Sequence, residues 1–193
     1  MADTRTILIT GATGKQGGAV ARHLANKGFK IRAMTRKVDS DGAKSLAAAG
    51  AEIVKGDLND AASIEAALTG AWGAFAVQNT WEAGVEGEEA QGKRFATLAR
   101  KAGVHHFVYS SVGSAHRQTG VPHFENKWRI EQAVRALTAT SFTGGGALVG
   151  HELLSGSLIE LLLNKIAFAK MGVTYLGGLV GNIAIPRITG PTA

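Results

Sequence analysis

The chain has 193 residues, 45% hydrophobic and 19% charged, which suffices for one domain with a sizeable core and argues against a disordered chain. It contains no cysteine, so disulfides, thiolate metal sites and a cysteine nucleophile are excluded. The 21 Lys and Arg against 15 Asp and Glu leave a net charge of +6; residues 1–37 hold eight of the cations and only Asp3, and the chain has no run of five or six like charges, a pattern pointing to a small polyanion such as a dinucleotide phosphate and away from nucleic acid.

Thr6–Thr10 is a β-branched run ending at glycines and is predicted as a buried strand. Gly11-Ala-Thr-Gly-Lys-Gln-Gly17 follows it directly and precedes a helix predicted over residues 16–27, with Ala19, Val20, His23 and Leu24 on one face. A G-x-x-G-x-x-G loop between strand and helix is the context in which such glycines bind phosphate. Gly11 permits the tight turn, Gly14 lets backbone N–H groups approach a pyrophosphate, and Gly17 allows the helix to pack close to the sheet. Free amides and the positive end of the helix dipole then favour the anion, with Thr13 and Gln16 as further donors.

A second strand over residues 29–35 leads to Arg36 and Lys37. An NAD-preferring site places Asp or Glu here for the ribose 2′-hydroxyl, whereas a 2′-phosphate needs a cation. Arg36, with Lys37 beside it, therefore favours NADP(H) over NAD(H); the alternative for Arg36 is an ordinary surface residue. A helix over residues 40–49 and a third strand over residues 52–56 end at Gly56-Asp-Leu-Asn-Asp60. Asp57 and Leu58 are placed to face an adenine as acceptor and apolar wall, or Asp57 caps the helix predicted over residues 59–68. The fourth strand, residues 74–78, runs into Asn79-Thr-Trp81, expected along the ribose and nicotinamide, with Trp81 alternatively a core residue. After a polar loop, a long helix is predicted from about Glu86 to Ala102, then a fifth strand over residues 106–110 and a fifth helix over residues 126–137.

Five alternations of strand and helix predict parallel strands joined by right-handed crossovers, an α/β Rossmann-type doubly wound sheet. Ligands bind such a sheet beyond the carboxyl ends of its strands, so the loops after Thr10, Thr35, Gly56, Gln78 and Ser110 should share one rim. Beyond Thr138 the pattern weakens. Thr143-Gly-Gly-Gly-Ala147 carries little side-chain information, residues 153–171 are apolar enough for a core helix, and residues 173–185 are interrupted by three glycines and too short to span a bilayer. The opening residues lack a basic segment followed by an apolar run, so the protein is expected to be soluble and cytoplasmic, with no membrane contact. The histidines have no partners at ligand spacing, and no metal site is expected.

Taken in order, GATGKQGGAVARHL, RAMTRK, KGDLND, NTWEAGVEGEEAQGKR, FVYSSVGSA and HFENKWRIE resemble the NmrA-like branch of the atypical short-chain dehydrogenase/reductases over residues 5–137. The resemblance implies an NADP(H)-binding domain over residues 1–150, contacted by Gly11, Thr13, Gly14, Gln16, Gly17, Arg36 and Asp57, with Lys127 near the nicotinamide ribose. Catalytic members of the wider group carry a tyrosine four residues before the lysine, as proton donor. Here His123 stands at that place and is either a weak acid assisting Lys127 or a solvated loop histidine. Ser110 and Ser111 either orient a carbonyl or belong to a turn. Phe142–Ala147 departs from the F-T-x-L-R-P strand of relatives, and residues 151–193 are expected to be a truncated or divergent remnant of a smaller substrate lobe. Two functions follow from the resemblance. One is a redox-responsive regulator or partner-binding module; the other is an NAD(P)H-dependent reductase of quinones or small carbonyls.

Overall fold

The structure, a computed structural model, describes residues 5–113, 115–117 and 119–139. The glycine-rich stretch at 143–147, the apolar stretch at 153–171 and the segment 151–193 lie outside the described residues. In chain order the elements are β1 Thr6–Ile9, α1 Lys15–Asn26, β2 Lys30–Thr35, α2 Asp41–Ala48, β3 Glu52–Lys55, α3 Ala61–Leu68, β4 Gly73–Ala76, α4 Thr80–Lys101, β5 His106–Tyr109, a single 3-10 turn Ala115–Arg117, and α5 Pro122–Ala139. The described strands form one parallel sheet in the order β3-β2-β1-β4-β5. The order reverses beside β1, which pairs with β2 on one side (Ile7 with Ile31) and β4 on the other (Leu8 with Ala74). This is the doubly wound Rossmann arrangement that strand–helix alternation predicts.

Side chains on a strand alternate between faces, so consecutive residues of β1 enter different cores. Leu8, Met34, Ala74 and Ala76 pack with Ile64, Leu68, Phe95 and Ala99 from α3 and α4. Ile7, Ile9, Ile31, Ala33 and Phe75 pack with Ala21 and Leu46 from α1 and α2. Thr10, fully buried, ties the carboxyl end of β1 to the residue that follows β4: its hydroxyl donates to the Val77 carbonyl at 3.0 Å and accepts from the Val77 amide at 2.8 Å.

Three expectations need correction. Ala19 and His23 are exposed, while Gly17, Gly18 and Ala21 are buried and Val20 and Leu24 pack beside them. The side of α1 that meets the protein is thus made partly of glycine, which a count of apolar residues overlooks. The polar loop expected before α4 is instead a helical turn: Asn79 accepts the Trp81 amide at 3.1 Å and starts the helix at Thr80, and Gly84, at φ 74° and ψ 169°, breaks it from the body. Helix α5 begins at Pro122, four residues before the predicted start, because proline is pre-set for a first helical position, where its missing N–H is not needed. His123 therefore belongs to the first turn of α5 and not to a loop.

Helix α5 can lie close on α4 because Gly92 has no side chain. A Cβ there would come within 2.7 to 3.0 Å of three atoms of Ile130. Asn126, one turn before Ile130, and Glu88, one turn before Gly92, meet in the adjacent layer.

Candidate functional site

At the carboxyl end of β1, Gly11 adopts φ +59°, a region that disfavours any side chain, and an added Cβ would stand 2.8 Å from a methyl of Val77. The Gly14 amide donates to the Gly11 carbonyl at 2.9 Å, folding the loop back on itself. At Gly17 a Cβ would meet the Gly11 carbonyl oxygen at 2.3 Å and the Ala12 nitrogen at 2.9 Å. Gly17 thus serves close packing of α1 against its own loop, whereas the sequence reading had placed that contact on the sheet. Gly14 is the N-cap of α1 and offers no side-chain acceptor, which leaves the first-turn amides available to an anion.

Next to that turn lies a cleft of about 300 Å³ lined by Thr13, Thr35, Arg36, Lys37, Ser40 and Gly42. Thr13, Arg36 and Lys37 are thereby brought together, as a shared rim requires. Arg36 also reaches α4, donating to Glu82, a bond that strengthens its hold on the proton. Gln16 crosses the rim to donate to Ser110 at 2.7 Å. Asp57 accepts the Asn59 amide at 2.8 Å, so part of its carboxylate serves the turn before α3, while Asp60 caps that helix by accepting the Ala62 amide. Leu58 is partly buried against the Leu8 core, and Arg94 donates to its carbonyl at 2.7 Å. Asn79 is exposed and acts as the α4 cap. Gln78, just before it, is buried, and neither its amide nitrogen nor its oxygen finds a hydrogen-bond partner among the described residues. A buried amide left in that state marks a place where a further polar group fits.

The other expected residues form a second cluster between α4 and α5. Lys127 donates to Glu88 at 2.7 Å, with the lysine side chain 14% exposed and the glutamate fully buried. Asn126 donates to the same carboxylate at 2.9 Å, and Thr80 donates to it as well. Burial pushes the Glu88 carboxyl up, but these three donors outweigh it and hold the group below the usual range. The Lys127 ammonium also lies 5.6 Å from the centre of the Tyr109 ring. The Tyr109 hydroxyl has no hydrogen-bond partner among the described residues, and burial, with the charges of Glu88 and Glu131, pushes its pKa up. It stays a neutral phenol. The His123 ring lies 5.8 Å from that of Trp81 and 4.9 Å from that of Phe124 by centroid, and Trp81 itself is 87% exposed. Ser111 donates to Glu131.

Glu82, Glu88 and Asn126 did not emerge from the sequence. A signal for Glu88 exists: with Gln91, Phe95 and Ala99 it recurs at helical spacing on the buried side of α4, where an unpaired carboxylate would be costly. Nothing local marks its partner.

The depressed Glu88, together with Glu89, which Lys93 and Arg129 hold below the usual range against the opposing effect of burial, implies acid sensitivity. A carboxylate whose folded pKa is lowered stabilises the protein above its unfolded value, about 4.3, and loses that contribution as pH falls through the folded value. The urea midpoint is expected to drop as pH is lowered from about 5 to 3, with a shallower slope in Glu88→Gln. Equal slopes would show that Glu88 does not titrate as an ion-paired group.

Among the described residues no helix is long and apolar enough to cross a membrane, and no group of three or more His, Asp or Glu is placed to hold a metal ion. The NmrA-like family matches residues 3–149. Among curated relatives, the NmrA-like family domain-containing oxidoreductase FrzB of a Cladobotryum species is 42% identical over 144 residues, 69% of this chain and 43% of its own. Among solved structures, NmrA, a negative transcriptional regulator, in complex with NADP is 30% identical with a TM-score of 0.61, over 69% of this chain and 42% of that one. The triphenylmethane reductase of a Citrobacter species, complexed with NADP(H), is 28% identical with a TM-score of 0.60, over 68% of this chain and 46% of that one. The chain spans under half the length of these relatives.

Proposed function

The chain belongs to the NmrA-like family, and on that premise we propose that it is an NADP(H)-binding Rossmann protein, a redox-responsive regulator or partner-binding module with weak or no turnover. The cationic cleft carries this reading: Arg36 and Lys37 line it with Thr13, immediately beside a helix N-terminus that lacks a side-chain cap. The binding unit is residues 1–150. The first-turn amides of α1, with Gly11, Gly14, Gly17 and Gln16 around them, hold the diphosphate, and Arg36 with Lys37 takes the 2′-phosphate. Asp57 and Leu58 flank the adenine. Asn79 borders the ribose, and Gln78 offers a buried amide beside it. Lys127 has three ammonium donors and gives one to Glu88, leaving others for the nicotinamide ribose. When bound, such a cofactor supplies a hydride.

Support for weak turnover comes from the residues around Lys127. Its ammonium is already balanced by a buried carboxylate, and the group four residues earlier is an imidazole in ring contact with Trp81 and Phe124. A second reading, reduction of a quinone or small carbonyl with Lys127 and His123 assisting, is supported by the names of the FrzB oxidoreductase and the triphenylmethane reductase.

Titrating the full chain with NADPH and NADH, and following loss of reduced-cofactor absorbance with a panel of quinones and aldehydes, separates the two. Binding without consumption is the expected result, and steady consumption favours the reductase. Arg36→Ala should lose about 1.5–3 kcal/mol of NADPH affinity and much less for NADH, the size of one hydrogen bond to a charged group. Equal losses would remove Arg36 from the 2′-phosphate site.

A further inference from the structure

The same guanidinium assigned to the 2′-phosphate is occupied by a carboxylate of this chain. Arg36 lines the cleft after β2, and its Nη2 donates to Glu82 in the first turn of α4. Both side chains are 55% exposed, so the pair can open without unpacking a core. The turn that carries Glu82 is separated from the rest of α4 by Gly84, whose backbone is non-helical and around which an added Cβ would meet nothing within 4 Å. We propose that Glu82 is an internal competitor for the 2′-phosphate, setting the preference between phosphorylated and unphosphorylated dinucleotides and coupling occupancy of the cleft to the turn that carries Trp81.

The physical basis is anion exchange at a group that never loses its charge. Arginine stays protonated throughout the accessible pH range, so Glu82 cannot be released by titrating its partner. A phosphate monoester carries about −1.5 to −2 charges at neutral pH against −1 for the carboxylate, and it presents more acceptor oxygens. It therefore displaces Glu82 from Arg36, whereas a ribose 2′-hydroxyl does not. Asp57 adds a second negative charge near Arg36, and its carboxylate is partly held by the Asn59 amide, which leaves Glu82 as the group on a movable turn. Trp81, adjacent to Glu82 and 87% exposed, makes a tilted ring contact with His123, so its surroundings change when the turn moves. This inference rests on the cofactor reading given above.

The test uses the full chain and Glu82→Gln, an exposed substitution that should leave the melting temperature unchanged. NADPH should bind about two- to fivefold more tightly, the range spanned by one exposed ion pair, while NADH affinity stays the same. In an Arg36→Ala background the Glu82→Gln gain should disappear. As a direct probe, 2′,5′-ADP should change tryptophan fluorescence in the wild type, 5′-ADP should not, and Trp81→Phe should abolish the response. Unchanged or weaker NADPH binding in Glu82→Gln, or a gain that persists without Arg36, overturns the competition. If the wild type binds neither NADPH nor NADH, the cofactor reading fails along with it.

Discussion

Lys127→Met is expected to destabilise the protein by about 3–5 kcal/mol, the cost of leaving one partner of a buried ion pair uncompensated. Glu88 is fully buried, and without the lysine only Thr80 and Asn126 remain as donors among the described residues. Glu88→Gln should cost less, because the Lys127 side chain is 14% exposed and its long stem can carry the ammonium to water. The double change Glu88→Leu with Lys127→Met should recover most of the loss, since apolar replacement of a whole buried pair is often close to neutral. Thermal melts check the order, with a fall of roughly 6–20 °C for Lys127→Met. A Lys127 variant that melts like the wild type would mean the ion pair contributes little. The result also bears on function: a loss of NADPH binding in Lys127→Met reports on the cofactor contact only if it persists in the refolded double variant.

Gly17→Ala should be the most damaging change in the glycine loop. Its Cβ would lie 2.3 Å from the Gly11 carbonyl oxygen and 2.6 Å from the Gly11 carbonyl carbon, and backbone cannot move aside as a side-chain end can. Either α1 backs away or the loop opens, at about 3 kcal/mol, the upper end for overpacking. Both movements misplace the first-turn amides, so NADPH affinity should fall at least roughly tenfold, about one hydrogen bond to a charged group. Gly14→Ala should do much less, because its Cβ would meet the Gly11 carbonyl at 3.2 Å and its φ is −88°. Gly11→Ala should fall between them: the neighbour is a Val77 methyl, but the backbone is in the left-handed region at φ +59°. Paired melting and titration of the three variants tests the ranking. If Gly14→Ala proves worst for stability, the packing account of this loop is wrong.

Much of the candidate cofactor site was legible from local pattern. Thr6–Thr10 followed by three spaced glycines names strand, loop and helix in a row, and Arg36 stands at the end of the second strand whatever the remaining chain does. The second cluster was not legible in the same way. Lys127 was found only through a resemblance, and its actual partner, Glu88, reads in sequence as one more acid in a helical stretch of Glu86, Glu88 and Glu89. His123 was expected ahead of the fifth helix because that helix was predicted to start at residue 126, whereas α5 starts at Pro122.

Strand–helix alternation, glycine spacing and the Arg36-Lys37 pair, all short-range properties, were enough to determine the parallel α/β sheet, the rim at which its loops gather and the cationic end of β2. Only the tertiary structure decided which charges meet. Lys127 and Glu88 are 39 residues apart and Arg36 and Glu82 are 46 apart, brought together by the packing of α5 on α4 and of α4 against the sheet rim. Electrostatic pairing depends on distance through space and on burial, and neither quantity is carried by neighbouring residues along the chain.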